Sequence, residues 1–185
     1  MRKMSQASLL LVETGCTLLS FKVVGPLKVH VFKDVGGRTI RDVDITSFWA
    51  SHAKYKKRRG CYVFSMRTGG GLKPGYVGKT KKNFKQEVFG AHQLTRYYEF
   101  MASYKKGLPV LFFVLAHQAM GKPNDSKIRA VEKYLIDLGL TANPDLLNRR
   151  DTKPPGWGIQ GVIRGGKGKV SAGTSSFRKM LGIEK

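Results

Sequence analysis

The eight residues from Pro109 to Ala116 read PVLFFVLA, with no polar side chain among them. The run is too short to cross a bilayer. Its Val, Leu and Phe content fits a strand buried on both faces, at the centre of a sheet. The rest of the chain must then supply neighbouring strands and covering layers.

Candidates for both are present. Cys61-Tyr62-Val63-Phe64 and Gly75-Tyr76-Val77-Gly78 read as short strands, joined by a long, Gly-rich, flexible connection from Arg67 to Pro74. Upstream, Phe21 to Val24 and Lys28 to Phe32 read as two strands with Gly25-Pro26 as the turn between them, and Gly36-Gly37 breaks the chain again. Two strands alone are only marginally stable, so this pair is expected to extend the central sheet. Asp44 or Thr46 can cap a helix carrying Phe48, Trp49 and Ala53. Its last turn would be the basic run from Lys54 to Arg59, with Gly60 as the stop. A second helix starts at Asn83, with Gln86 in the reciprocal capping position, and runs through Phe100 to Gly107. Ser126 to Leu140 forms a third, ended by Asn143-Pro144. Trp157 to Ile163 fits a last strand, and Phe177, Met180 and Leu181 a short terminal helix.

The expected fold is α/β (α+β): a small, mainly antiparallel central sheet flanked by helices. A chain of 185 residues makes one domain with appended pieces. These divide into an N-terminal extension over residues 1–59 that packs on the core, a core over 60–163, and a basic tail over 164–185.

Charge narrows the partners. Thirty-four Lys and Arg against 12 Asp and Glu give a formal net charge of +22. Such a field draws polyanions and drives copies of the chain apart, so DNA, with RNA as the alternative, is the expected partner of a monomer. No apolar stretch is long enough to span a membrane, and Glu13 interrupts the one N-terminal apolar run, so neither a membrane location nor a secretory signal is expected. The expected location is cytoplasmic, with nucleoid association as an extension of it. Two cysteines, Cys16 and Cys61, are too few for a disulfide framework and are read as buried, reduced thiols.

Several residues carry chemistry. Ile128, Val131, Leu135 and Ile136 form an apolar helix stripe, and Glu132 falls within it. A carboxylate there needs a partner, either a salt bridge or capping contact, or a metal ion. Gly78-Lys79-Thr80 is not a phosphate loop, because Lys73 stands where the first glycine is required. No pair among His30, His52, His92 and His117 has the helical spacing of a zinc hydrolase, and His92 alone is kept as a site candidate. Arg96, Tyr97, Tyr98, Tyr104, Lys105 and Lys106 interleave cations with rings. Bases could stack there, or the tyrosines pad the core with their hydroxyls outward.

Gly60-Cys61-Tyr62 followed by Tyr76-Val77-Gly78 resembles the two half-motifs of the GIY-YIG endonuclease superfamily. A helix follows the second, Glu132 lies in a later helix, and Asn148 follows in Leu146-Leu147-Asn148. The resemblance covers about Gly60 to Gln160. It implies metal-dependent cleavage of phosphodiester bonds, with Glu132 binding one divalent cation, Mg2+ or Mn2+. It further implies that Tyr62 assists deprotonation of the attacking water, directly or through a neighbour, that Tyr76 completes the network around water and phosphate, that Gly78 admits the substrate backbone, and that Asn148 supports the site from behind. His92 is counted with the catalytic set. Lys79, Lys81, Lys82, Lys85, Arg96, Arg58 and Arg59 are the expected nucleic-acid contacts. One departure stands out: the arginine that the superfamily carries on the helix after the second half-motif is replaced by Gln86 or Glu87. A carboxylate repels a phosphate where a guanidinium would hold it.

Overall fold

A computed structural model describes residues 20–117 and 124–148. Its centre is a four-stranded antiparallel sheet in the order β1-β6-β4-β5. These strands are β1 (Ser20–Lys28), β4 (Gly60–Thr68), β5 (Gly71–Lys79) and β6 (Leu108–His117). The apolar run is therefore an inner strand, paired with β1 on one side and β4 on the other. The remaining strands, β2 (Phe32–Asp34) and β3 (Gly37–Thr39), form a separate hairpin.

Alternation along the strands sorts side chains into two layers. Tyr62, Phe64, Leu111 and Phe113 face a core that includes Phe48 and Trp49 of α1 (Asp42–Ser51), Phe84 of α2 (Phe84–Glu87), and Tyr97, Phe100 and Met101 of α3 (Ala91–Ala102). This core is ring-rich: Phe64 stacks on Tyr97 with centroids 4.0 Å apart, and Phe84 stacks on Phe113 at 4.4 Å. Cys61, Val63, Val77 and Val114 face the other way, against Ile128 and Ile136 of α4 (Asp125–Ala142). The expected stripe of α4 is thus the face it buries. No helix among the described residues is long and apolar enough to cross a membrane.

Several expected elements are revised. Gly25-Pro26 is not a hairpin turn but lies within β1, where the register against β6 shifts between Val24 and Leu27. Proline lacks an N–H for the ladder, and the irregularity absorbs it. Only β1 joins the central sheet; the second expected strand gives way to β2, which pairs with β3 across Val35-Gly36. The α1 helix starts earlier, because the Asp44 carboxylate accepts from the Arg41 backbone amide at 3.1 Å and so closes the first turn. It ends at Ser51, and the basic run follows as one 3-10 turn (Ala53–Tyr55) and a linker. Gly60 opens β4 rather than closing a helix. Its φ of +150° and the approach of the Val114 carbonyl, 2.0 Å from where a Cβ would stand, exclude a side chain there. The connection from Arg67 to Pro74 is not a long loop, since β4 and β5 pair as far as Thr68 and Gly71, leaving Gly69-Gly70 as the turn.

The helix expected from Asn83 to Gly107 is two helices. Asn83 caps α2 by accepting from Gln86 N at 3.1 Å, as its position foretells. The chain then breaks at Gly90 and restarts as α3, which ends at Ala102. The break frees the Val88 carbonyl, and the buried Tyr97 hydroxyl donates to it at 2.8 Å. Asn124 caps α4, accepting from Ser126 N at 2.9 Å. Cys61 is buried and free. Cys16, the strand expected at Trp157 to Ile163 and the tail over 164–185 lie outside the described residues.

Candidate active site and basic surface

The two half-motif tyrosines meet because β4 and β5 are paired neighbours. Tyr62 lies opposite Gly78, and Phe64 opposite Tyr76, so both tyrosines leave the same face of the sheet. Their ring centroids are 6.3 Å apart. A Cβ at position 78 would stand 2.4 Å from the Tyr62 hydroxyl oxygen, so the missing side chain of Gly78 is the space into which Tyr62 extends. The hydroxyl is buried and has no hydrogen-bond partner of normal geometry, although Gln93 of α3 faces it. Burial foremost, then the neighbouring Tyr76, pushes the Tyr62 phenol well above its ordinary range. Burial and then the Glu132 carboxylate raise Tyr76, with Arg96 acting in the opposite sense.

Glu132 comes from the opposite layer. It sits on the sheet-facing side of α4, and its Oε2 lies 3.0 Å from Nζ of Lys79, the last residue of β5. β5 is an edge strand, so two faces of the sheet meet where this pair stands. The carboxylate therefore acts on both layers: its charge raises Tyr62 and Tyr76 on one face and Cys61 on the other. The Cys61 thiol is pushed up to about 12, by burial first and then Glu132, against the pull of Lys79.

Asn148 braces the strand that carries Tyr76. Its Oδ1 accepts from Val77 N–H at 3.0 Å, and its Nδ2 donates to the Val77 carbonyl at 2.8 Å. One side chain thus mimics a neighbouring strand on the free edge of β5. Leu147 N donates to the Gly75 carbonyl at 2.8 Å, and Asn143 Nδ2 to the Pro74 carbonyl at 2.6 Å, extending the brace along the edge.

Other expected site residues divide into engaged and exposed. Arg96 is buried and pairs with Glu99 at 2.7 Å, so it serves the interior beside Tyr76. Arg59 pairs with Asp125 and donates to the Lys81 carbonyl, tying the linker to α4 and to the segment after β5. Tyr97 and Tyr98 do not form a stacking platform; their hydroxyls donate to Val88 and Ile40 carbonyls within the fold. His92, Arg58, Lys81, Lys82 and Lys85 are exposed. Glu87 is half-buried and accepts from Lys81 N at 3.3 Å. Gln93 and the pairing role of Lys79 had no signal in the sequence, since both depend on which helix packs over which strand.

No three His, Cys, Asp or Glu side chains converge on one point among the described residues. The donor set for a cation is one carboxylate, Glu132, at an edge where its side chain keeps 16% exposure. That fits magnesium, which binds through one or two carboxylates and takes its other oxygens from water and phosphate. The Lys79 ammonium meets the same carboxylate, so an ion bound there would have to displace the lysine. No family model matches the chain, and no curated protein or solved structure matches it either.

Proposed function

We propose that this protein is a metal-dependent endonuclease of the GIY-YIG kind, which hydrolyses phosphodiester bonds in DNA. The observation that carries the reading is that Tyr62 and Tyr76 stand side by side on one face of the sheet, with Gly78 making room for Tyr62, while Glu132 reaches the end of the same edge strand at Lys79, near enough for its charge to act on both tyrosines. Residues 14 and 56 positions apart from Tyr76 need not have come so near it.

In this reading Glu132 holds magnesium or manganese, which supplies charge for the phosphate oxygens and the leaving group. The chain's own groups do the rest. Tyr62 is fully buried, so it acts on water through a neighbouring group rather than by touching the water itself. Tyr76, half-buried, orients water and phosphate. Asn148 fixes the strand beneath them. His92, exposed and next to Gln93 in the chain, is the remaining member of the proposed catalytic set. The test is nicking of supercoiled plasmid with magnesium or manganese, comparing wild type with Glu132→Ala. Metal-dependent nicking lost in the variant supports the enzyme; nicking by both proteins overturns the assignment of Glu132.

A second reading has its own support. Gln86 or Glu87 stands where a phosphate-holding arginine is expected, and Lys79 already neutralises Glu132. Both favour a nucleic-acid-binding domain of the same fold with weak or absent catalysis. Duplex binding with no nicking under either metal selects it.

A further inference from the structure

Two basic segments far apart in sequence lie side by side in the fold. One is the linker from Ala53 to Gly60, the other the stretch from Lys79 to Gln86; neither contains an acidic residue. Backbone hydrogen bonds join them: Phe84 N to the Arg58 carbonyl at 3.0 Å, Lys85 N to Lys56 O at 3.1 Å, and Thr80 N to Gly60 O at 2.9 Å. Arg59 Nη2 adds a fourth link, to the Lys81 carbonyl at 3.0 Å. Both segments are fastened to one ring. Phe84 stacks on Phe113 at 4.4 Å, and Tyr55 meets Phe113 edge-on at 6.0 Å.

The result is a fixed field of like charges. Lys54, Lys57, Arg58, Lys81, Lys82 and Lys85 are all exposed, and none makes an ion pair among the described residues. The acids that touch these two segments are already engaged: Asp125 with Arg59, Glu87 with the Lys81 amide, and Glu132 with Lys79. The first amides of α2 are given to the linker carbonyls, so an anion is met here by the lysine and arginine side chains and not by the helix end. Clustering cations on a rigid base is unfavourable by itself and becomes favourable against a polyanion.

We infer that the linker and the segment after β5 form one composite surface for the sugar-phosphate backbone of duplex DNA, which leads along residues 79–82 to the Lys79–Glu132 edge. The choice of nucleic acid as partner rests on the functional reading above; the surface itself rests on the hydrogen bonds that join its halves.

The test is binding of a fluorescent DNA duplex by anisotropy in EDTA, across a salt series, so that no cleavage can occur. Three full-length variants are compared: K54Q/K57Q/R58Q, K81Q/K82Q/K85Q, and K105Q/K106Q as a control away from the surface. Each lost phosphate contact lowers the slope of log K against log salt by about 0.9. Each triple variant is expected to lose about 2.7 units of slope and to bind at least tenfold more weakly near 0.1 M salt, with the control close to wild type. Thermal melting of every variant checks folding. Overturning results are a linker triple that behaves like the control, slopes unchanged in both triples, or binding of phosphatidylserine vesicles without binding of the duplex. Slope loss in a protein that never nicks plasmid upholds the surface and removes the nuclease; unchanged slopes in a protein that does nick remove the surface alone.

Discussion

Lys79 Nζ lies 3.0 Å from Glu132 Oε2, and this pair joins the edge strand β5 to α4. The lysine keeps 32% exposure and the glutamate 16%, so solvent screens the attraction and its net worth to stability is about 0.2–1 kcal/mol. In the proposed enzyme its larger effect would be on the binding of a cation by the carboxylate. Lys79→Met should leave folding nearly intact and raise the affinity for Mn2+ severalfold, measured by calorimetry. Glu132→Gln should abolish that binding. An affinity unchanged by Lys79→Met would show that the lysine does not compete with the ion.

Tyr62 and Gly78 make a second pair with opposed expectations for stability and activity. Gly78→Ala places a methyl group 2.4 Å from the Tyr62 hydroxyl and forces the buried Tyr62 ring out of its place. It should cost about 1–3 kcal/mol in urea unfolding. Tyr62→Phe removes a buried hydroxyl that has no partner of normal geometry. Leaving such a group unsatisfied costs about 1–3 kcal/mol, so this variant should be as stable as wild type or more so. Its nicking activity should nevertheless fall. A destabilised Tyr62→Phe would mean that the hydroxyl is satisfied in solution.

Asn148→Ala removes both hydrogen bonds to Val77 and uncovers the edge of β5. The expected loss is about 1–3 kcal/mol. Hydrogen exchange should quicken most at the Val77 amide, because that N–H loses its acceptor. Uniform quickening across the sheet would instead point to global destabilisation without a specific brace.

Alkaline pH should unfold the protein early. The Cys61 thiol is raised from 9.0 to about 12, and Tyr62, Tyr76 and Tyr97 are raised from 10.0, burial being the first cause in each. Above pH 9 the unfolded chain releases protons that the folded chain retains. Stability therefore falls as pH rises through the window from 9 to about 12 for Cys61, and from 10 upward for the tyrosines. Below pH 9 these groups are protonated in both states and contribute no slope. Thermal melts from pH 8 to 11 read this directly, and Cys61→Ser should flatten part of the decline.

The central strand, the α4 stripe and the caps at Asn83 and Asn124 were legible because each is a local pattern: an apolar run, a 3.6-residue period, a side-chain acceptor ahead of free amides. What was hidden depended on tertiary pairing. Glycines at 25, 60 and 107 read as punctuation, yet Gly25 lies inside β1, and Gly60 and Gly107 stand at the starts of strands rather than at helix ends. Lys54 to Arg59 carried enough charge to suit a helix C-terminus, but the helix stops at Ser51 and the run follows β6 and α2 instead. Glu132 was recognisable as an acid in an apolar stripe; that its partner is Lys79 required knowing that α4 crosses β5.

The pairing of β1 with β6 has a consequence for how the chain is made. Ser20 pairs with His117 and Lys28 with Val110, so β1 leaves the ribosome with no partner in the sheet until about 90 further residues are synthesised. At about 5–20 residues per second that is a wait of about 5–20 s. Until then the strand needs to stay unpaired, and its lysines, Lys22 and Lys28, discourage association with other nascent chains. A fragment started at Gly60 would meet the converse problem. It would present the apolar strand PVLFFVLA with one backbone edge open, a template for strand addition that the full-length chain covers with its own N-terminal segment.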